Sequence, residues 1–222
     1  MKHLTPSISL VIVGLCVFAV SASAQSPSVA ITPQDFFKVN YFANNGVSGA
    51  PDATVRIDNP GSPFIVNVGG GEGESGAVDL CAMIYVFDND QALSECCGCL
   101  VTPDGLATLS VTHDLTSNPL TGTVSNNGVI MILSALPNGS PCDPTGALGP
   151  TNLSTTDFSL VPTVRAWATH IQNKVGGTYP ITETAFSDAT ASPAEVQLAT
   201  EECFFTIRLG SGQGVCSCGT GD

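Results

Sequence analysis

Cysteine is the chemically most versatile residue type in this sequence, and its spacing admits three kinds of site. Cys96, Cys97 and Cys99 fall within the segment ECCGCL, and Cys216 and Cys218 form a C-x-C pair near the end of the chain. Thiolates at such short spacing bind zinc, paired thiols carry out redox exchange, and oxidised thiols form structural disulfides. The choice among the three depends on the compartment in which the protein resides.

Zinc binding and redox catalysis are the weaker interpretations of these cysteines. Structural zinc sites usually pair two knuckles of the C-x2-4-C type, and the C-x-C spacing here is more compressed. In redox enzymes with a C-x-x-C motif, the first cysteine lies at a helix N-terminus that stabilises its thiolate. Cys96 and Cys99 have this spacing, but they follow Glu95 in a segment typical of a β-strand. The acidic neighbour disfavours a thiolate there.

The beginning of the sequence predicts export to an oxidising compartment. Lys2 precedes an apolar run over 8–20, and Ala22 and Ala24 are the small residues expected before a cleavage point. This order is typical of a secretory signal peptide, predicted here for residues 1–24, which is removed on export. The apolar run is shorter than the roughly 20 residues that a transmembrane helix needs, so no membrane span is expected.

Disulfides are therefore the predicted state of the cysteines. Of the nine cysteines, Cys16 is removed with the signal peptide, and an even number remains, as is typical of exported disulfide-bonded proteins. Side chains of adjacent strand residues point to opposite faces, so Cys96 and Cys97 are expected to have different partners. We expect the cluster around them to be linked to the C-terminal tail, which has little core of its own. The predicted disulfide cysteines are Cys81, Cys96, Cys97, Cys99, Cys142, Cys203, Cys216 and Cys218.

Two weaker candidate sites involve other side chains. Asp88 and Asp90 of the DND segment offer carboxylate oxygens to calcium, the one cofactor that the sequence suggests. Turn formation explains the same residues without a metal, because Asp and Asn side chains bind their own backbone. Trp167, the single tryptophan, is a candidate for stacking on a sugar together with Tyr179. A core position for Trp167, packed against a disulfide, is the commoner arrangement.

Catalytic motifs are poorly supported. His113 and His170 are the histidines that remain after the signal peptide, and no G-x-S-x-G segment supplies a nucleophile for either. A literal G-x-G-x-x-G occurs at Gly71, Gly73 and Gly76, but the residues after it predict a strand, whereas a dinucleotide-binding loop is followed by a helix. We therefore expect a non-catalytic protein rather than an enzyme.

Apolar and β-branched runs separated by Gly, Pro and Asn turns predict a mainly β fold. The segment LCAMIYVF, residues 80–87, predicts a central strand, and residues 80–101 as a whole predict a hairpin. Strands that recur at intervals of about ten residues are typical of a β-sandwich. The other predicted strands lie in FFKVNYF, ATVRIDN, FIVNV, residues 129–136, VPTVRAWATHIQ and TYPITETAF.

One helix is predicted near the end of the chain, at about 193–209. Ser192 is the expected N-cap, and Glu195, three residues later, completes a capping box with a proline at the first helical position. Gly210 is expected to end the helix. We expect the helix to pack over one end or edge of the sandwich. Its apolar stripe consists of Val196, Ala199, Cys203 and Ile207.

The composition is that of an acidic extracellular protein. Six Lys and Arg residues against 19 Asp and Glu residues give a net charge of −13, which repels nucleic acid and anionic lipid. The length of the chain after the signal peptide suits one domain with a sizeable core. We therefore predict that residues 25–222 form a single disulfide-bonded β-sandwich with one C-terminal α-helix and a cysteine-rich tail.

Several segments resemble a family of exported proteins. They are LCAMIYVFDNDQALSECCGCLVTPDGLATLSV, VRAWATHIQ, ITETAF and CFFTIRLGSGQGVCSC, and the likeness covers roughly Val55 to Cys218. In these segments the sequence is similar to uncharacterised exported cysteine-rich proteins of environmental bacteria. The resemblance implies export and a cysteine framework, and it implies no activity, cofactor or catalytic residue.

Together these observations predict a secreted or cell-surface protein, or a periplasmic one, with a structural or interaction role in a surface layer, fibre or matrix. The expected partners are other copies or other surface proteins, with segment 28–42 as a candidate edge strand for association. A carbohydrate- or calcium-binding module, with a glycan as ligand, is the first alternative. An extracellular hydrolase is the second.

Overall fold

Strands make up most of the regular structure, and one α-helix follows near the end of the chain. The computed structural model describes residues 37–61, 64–65, 75–137, 142–145, 164–189 and 191–219, which belong to one compact unit, Ile31–Asp222. The predicted signal peptide lies outside the described residues. The elements are β1 (Phe37–Phe42), β2 (Thr54–Asp58), β3 (Phe64–Ile65), β4 (Ser75–Gly76), β5 (Leu80–Asp88), β6 (Leu93–Val101), β7 (Leu106–Ser110), a π-helical turn (Val111–Leu115), β8 (Gly128–Ala135), β9 (Arg165–Ile171), β10 (Ile181–Ala185), β11 (Ser187–Asp188) and α1 (Pro193–Arg208).

Two antiparallel sheets share one apolar core and form the predicted β-sandwich. The first sheet has five strands in the order β11-β1-β8-β5-β6, and the second has four in the order β10-β9-β2-β7. Val55 and Ile57 of β2 pack in the same buried cluster as Ala82 and Ile84 of β5, so this cluster joins the two sheets. Among the described residues, the short strands β3 and β4 pair with each other and form a separate two-stranded sheet.

Strand β5 is buried on both faces, as its nearly continuous apolar sequence predicts. Ala82 and Ile84 face the second sheet, whereas Met83 and Tyr85 belong to a separate cluster on the outer face of the first sheet. β5 pairs with β6 on one side and with β8 on the other, and it forms the predicted hairpin with β6. The apolar outer face of the first sheet must therefore be covered by another element.

Helix α1 covers that outer face. Val196, Ala199 and Cys203 of the helix share a buried cluster with Met83 and Tyr85 of β5. The helix is bonded through Cys203 to β6, the edge strand of the first sheet, which agrees with the expectation that it packs over an edge of the sandwich. Ser192 and Glu195 form the predicted capping box, and Gly210, with a φ of 63°, follows the C-cap residue Leu209. Of the predicted stripe, Val196, Ala199 and Cys203 are buried, but Ile207 is exposed.

The N-terminal strand lies inside the first sheet rather than at its edge. β1 pairs with β8 along its whole length, and its other side is paired with β11 at Lys38 and Val39. Lys38 forms an ion pair with Asp188, at 2.5 Å, across this junction. Residues 37–42 are therefore not the free edge strand that we expected for association, and residues 28–36 of that predicted segment lie outside the described residues.

Candidate functional site

The C-terminal tail, residues 211–219, runs alongside β6, the last strand of the first sheet. The backbone N–H of Cys96 donates to the carbonyl of Gly214 at 2.9 Å, and the N–H of Cys216 donates to the carbonyl of Cys96 at 3.2 Å. Cys96 and Val215 are the register pair of this parallel bridge. An unpaired edge strand is a template for aggregation, and the tail covers the edge of β6 at Cys96.

Two neighbouring disulfides hold the tail in this register. Cys97 is bonded to Cys216 and Cys99 to Cys218, with Cα–Cα distances of 5.2 and 5.4 Å. Both pairs have a sequence separation of 119 residues, which is also the offset of the Cys96–Val215 bridge. We call them the paired disulfides. A slip of the tail by one residue would separate both pairs of sulfur atoms, so the two bonds fix one register. The predicted link between the cysteine cluster and the tail is confirmed.

The third disulfide of the cluster lies on the opposite face of β6. Cys96 is bonded to Cys203 in the middle of α1, whereas Cys97 packs within the core between the sheets. The prediction that Cys96 and Cys97 face opposite sides and have different partners is confirmed. Cys96 and Cys99 also lie on opposite faces, so they do not form the C-x-x-C pair that a redox centre of that type requires.

The fourth disulfide fastens a loop over the outer face of the first sheet. Cys142 is bonded to Cys81 of β5, with a Cα–Cα distance of 5.6 Å. A Cβ atom on Gly98 would lie 2.3 Å from the carbonyl oxygen of Cys142. The glycine in ECCGCL is therefore required, because this loop approaches the backbone of β6 more closely than any side chain would permit.

The tail also contacts the second sheet and the turn that follows it. The N–H of Ser217 donates to the carbonyl of Asp114 at 2.9 Å. A Cβ atom on Gly219 would lie 3.2 Å from the carbonyl oxygen of Thr108 in β7. The tail therefore lies beside β6 of one sheet and β7 of the other, and it closes this side of the sandwich.

Glu95 is a buried carboxyl group in β6 beside this closure. Its side chain has no solvent exposure, and one oxygen, Oε1, accepts a hydrogen bond from the backbone N–H of Asn118 at 2.8 Å. The other oxygen, Oε2, has no hydrogen-bond partner among the described residues. Burial raises the pKa of Glu95 to about 7, although the hydrogen bond from Asn118 acts in the opposite direction. A carboxyl group in this environment is stable when it carries a proton.

The predicted calcium ligands lie in the turn between β5 and β6. Asp88 Oδ1 accepts hydrogen bonds from the backbone N–H groups of Asp90 and Ala92, at 2.9 and 3.0 Å. This is the turn chemistry that competed with calcium in the sequence interpretation. Calcium binding by Asp88 and Asp90 stays a prediction.

The two aromatic residues proposed to stack on a sugar are far apart. Trp167 is half-buried on the outer face of the second sheet, so its expected core position is wrong. Tyr179 lies next to Pro180, whose carbonyl accepts a hydrogen bond from Gln172 at the other end of β9. Five strand residues, or roughly 17 Å, separate that end from Trp167. One sugar ring cannot contact both aromatic side chains.

Polar neighbours surround Trp167 on this outer face. Arg56 is its register partner on β2, and Arg165 lies two residues earlier on the same face of β9. Arg56 forms an ion pair with Glu183 at 3.0 Å, whereas Arg165 is exposed. Two of the few cationic residues of an acidic chain therefore lie beside its single tryptophan.

His170 is buried between the sheets and is not part of a catalytic triad in the described residues. Its Nε2 atom lies 2.6 Å from Thr184 Oγ1, its ring stacks on Tyr41 at 4.2 Å, and Nδ1 has no hydrogen-bond partner there. Burial lowers the pKa of His170. A backbone hydrogen bond with Tyr41 acts on this pKa in the opposite direction. The other histidine, His113, is exposed in the π-helical turn.

Helix α1 carries a second apolar stripe, which the sequence analysis missed. Leu198, Phe205 and Leu209 are 56%, 66% and 67% exposed, and their spacing of seven and four residues places them on one side of the helix. We call this the exposed stripe. The same period that predicts the buried stripe would have revealed it, but a sequence does not show which of two apolar stripes faces the sheet. Glu202 lies next to it, and its Oε2 atom is buried without a hydrogen-bond partner among the described residues.

Comparison with known proteins gives no match: no family model fits the sequence, and no curated protein or solved structure is significantly similar to it. No helix in the part of the chain that the structure describes has both the length and the apolarity needed to span a bilayer. The functional interpretation therefore depends on the geometry of the chain itself.

Proposed function

We propose that this protein is a secreted or cell-surface structural protein that associates with further copies of itself through the exposed stripe of α1. The stripe is the observation that supports this proposal. Soluble monomers rarely expose adjacent large apolar side chains, and such patches mark interaction surfaces. The four disulfides support a location outside the cell, where such bonds persist.

The helix is held firmly enough to present a surface. Cys203, near its centre, is bonded to Cys96 of β6, and its N-terminus has a complete capping box. Val196 and Ala199 are buried against the first sheet. The exposed stripe is therefore a preorganised feature of the surface, and association through it does not require the ordering of a flexible segment.

A second copy of the same helix is the partner that fits this surface. In an antiparallel pair of α1 helices, the exposed stripe of one copy packs on the same stripe of the other copy. Both copies contribute the same surface to such a contact, so it forms a dimer with two-fold symmetry and does not extend into a polymer.

Sedimentation velocity on the exported chain, over a range of concentrations, tests the proposal. We expect a concentration-dependent dimer that the double variant Phe205→Ser with Leu209→Ser abolishes. The variant Leu106→Ser is the matched control, because Leu106 is 59% exposed on β7, away from the helix. A chain that remains monomeric at all concentrations, or a dimer that persists equally in both variants, would contradict the proposal.

Carbohydrate binding is a second candidate function, and the setting of Trp167 favours it. A half-exposed tryptophan beside Arg56 and Arg165 offers a stacking surface and donors for an acidic sugar. A glycan array tests this candidate, with Trp167→Ala and Arg165→Gln as the variants expected to lose binding. Tyr179→Ala is the control, because Tyr179 lies at the other end of β9. Binding that is lost equally in all three variants, or no bound glycan at all, would argue against it.

A further inference from the structure

We infer that the paired disulfides are convertible to a binding site for one zinc ion: when both are reduced, Cys97, Cys99, Cys216 and Cys218 supply four thiolates to the same point. This inference does not depend on the proposed function. The four residues form two C-x-C segments on neighbouring parallel strands, with all four sulfur atoms on the same side of the pair. No other part of the described chain brings four cysteines together in this way.

The sulfur atoms already lie close to the spacing that zinc requires. The Sγ atoms of Cys97, Cys99 and Cys218 are all within 4.8 Å of one another, and Cys216 Sγ is bonded to Cys97. In a tetrahedral site with Zn–S bonds of about 2.3 Å, neighbouring sulfur atoms are about 3.8 Å apart. Opening two S–S bonds moves the bonded atoms apart toward this distance. Cys97, Cys99 and Cys218 are then close to the required spacing, and rotation of the Cys216 side chain toward these three would complete the site.

The backbone keeps the two C-x-C segments together when the disulfides are open. The hydrogen bonds between Cys96 and residues Gly214 and Cys216 are independent of the sulfur atoms of the paired disulfides. The Cys96–Cys203 disulfide lies on the other face of β6 and is fully buried at both ends, so it resists reduction and anchors the chain upstream of the tail. Cys218, by contrast, lies at the surface, where a reductant reaches it.

A dithiol or a phosphine supplies the electrons for the conversion. Each of the two disulfides takes up two electrons and two protons, which breaks one S–S bond and forms two thiols, while the reductant is oxidised. Zinc then displaces the thiol protons, which are released to the buffer. Soft thiolate ligands favour zinc, or cadmium as a spectroscopic substitute, over magnesium or calcium. The ion would take over the role of the two bonds in holding the tail on β6.

Cadmium titration of the reduced chain tests this inference. The exported chain is treated anaerobically with a phosphine under conditions that open two disulfides, as counted by thiol alkylation and mass, and the excess is removed. We expect sulfur-to-cadmium charge-transfer absorption that saturates at one ion per chain, zinc that displaces the cadmium, and a native mass with one bound ion. Metal should also protect the tail from limited proteolysis.

Two double variants make the result specific. Cys81→Ser with Cys142→Ser should retain the full absorption, whereas Cys97→Ser with Cys99→Ser should lose it. Far-UV circular dichroism of each variant shows whether it is folded. The same titration in concentrated urea measures binding by the unfolded reduced chain. Equal binding in both variants, undiminished binding in urea, or no stoichiometric binding by the reduced native chain would each overturn the inference.

Discussion

The carboxyl group of Glu95 accepts a single hydrogen bond, from the backbone N–H of Asn118, inside the sandwich. Asn118 also holds the tail, because its carbonyl oxygen accepts a hydrogen bond from the N–H of Gly214 at 2.5 Å. The protonation of one buried side chain is therefore coupled to the segment that closes the β6 side of the fold. This coupling has a direct consequence for the pH dependence of stability.

We expect the free energy of unfolding to fall as pH rises between about 4.5 and 7. The folded-state pKa of Glu95, about 7, lies above the ordinary value of 4.5, so the folded chain binds more protons than the unfolded chain in this window. Above pH 7 the loss is complete. At about 1.4 kcal/mol per pKa unit, Glu95 alone contributes on the order of 3 kcal/mol to this dependence.

Urea unfolding of the native chain and of Glu95→Gln at several pH values measures this contribution. The variant keeps the acceptor for Asn118 and removes the charge, so it should be the more stable protein above pH 7 and lose most of the difference at pH 5. Burial also raises the pKa of Glu202, so Glu202→Gln should show a smaller effect of the same sign. Parallel pH curves for the native chain and Glu95→Gln would show that Glu95 does not titrate in this way.

The effects of removing the two members of the paired disulfides should be non-additive by about 1 kcal/mol. The Cys96–Cys203 bond already joins β6 to α1. Whichever of the paired disulfides forms first therefore closes a loop of about 15 residues, and the one that forms second closes a loop of only a few residues. Replacing either pair by serines should cost about 2 kcal/mol, and replacing both should cost about 5 kcal/mol. Chemical unfolding of the three variants measures these values. Equal costs that simply add would mean that the two bonds act independently.

Substitutions at two glycines of the tail distinguish the cost of backbone strain from the cost of overpacking. Gly214 and Gly212 have nearly the same φ, 77° and 76°, but a Cβ atom on Gly214 would lie 2.5 Å from Thr206 Cγ2, whereas Gly212 has open space. Gly212→Ala should cost about 1 kcal/mol from strain alone, and Gly214→Ala should cost a further 1–3 kcal/mol or so from overpacking. Thermal unfolding of both variants provides the comparison. If the two alanines are equally tolerated, the tail does not pack on α1 as described.

The fluorescence of Trp167 reports its position on the outer face of the second sheet. We expect native emission at a wavelength between those of buried and fully exposed tryptophan, and efficient quenching by acrylamide. Both follow from a ring that is half-buried beside Arg56 rather than enclosed in the core. Because Trp167 is the only tryptophan, the signal needs no deconvolution. Blue-shifted emission that resists quenching would place the ring in the core instead.

The sequence predicted those features that depend on local patterns. The hairpin of β5 and β6, the capping box at Ser192 and the opposite faces of Cys96 and Cys97 follow from period, cap chemistry and strand alternation. These rules act within a few residues, so they hold without knowledge of the rest of the chain. The linkage of the tail was predictable because a glycine-rich segment with two cysteines has little else to order it.

Features decided by distant partners were not predictable. Trp167 alternates with Ala166 and Ala168, and the small residues, rather than the large one, face the core because the second sheet packs closely there. β1 is an inner strand because Ser187 and Asp188, far along the chain, pair with it. β7 was missed because its exposed Leu106 breaks the alternation expected of a half-buried strand.

The connectivity of the disulfides determines how long each cysteine remains unpaired while the chain is synthesised. In three of the four bonds the second cysteine follows the first by 107 or 119 residues. At roughly 5–20 residues per second, Cys96, Cys97 and Cys99 wait on the order of 5–25 s for their partners to be made. Only Cys81 finds its partner sooner, after 61 residues. Three closely spaced thiols thus emerge together with Cys81 already nearby, so any bond that forms among them before residue 203 is made must exchange before the native bonds can form.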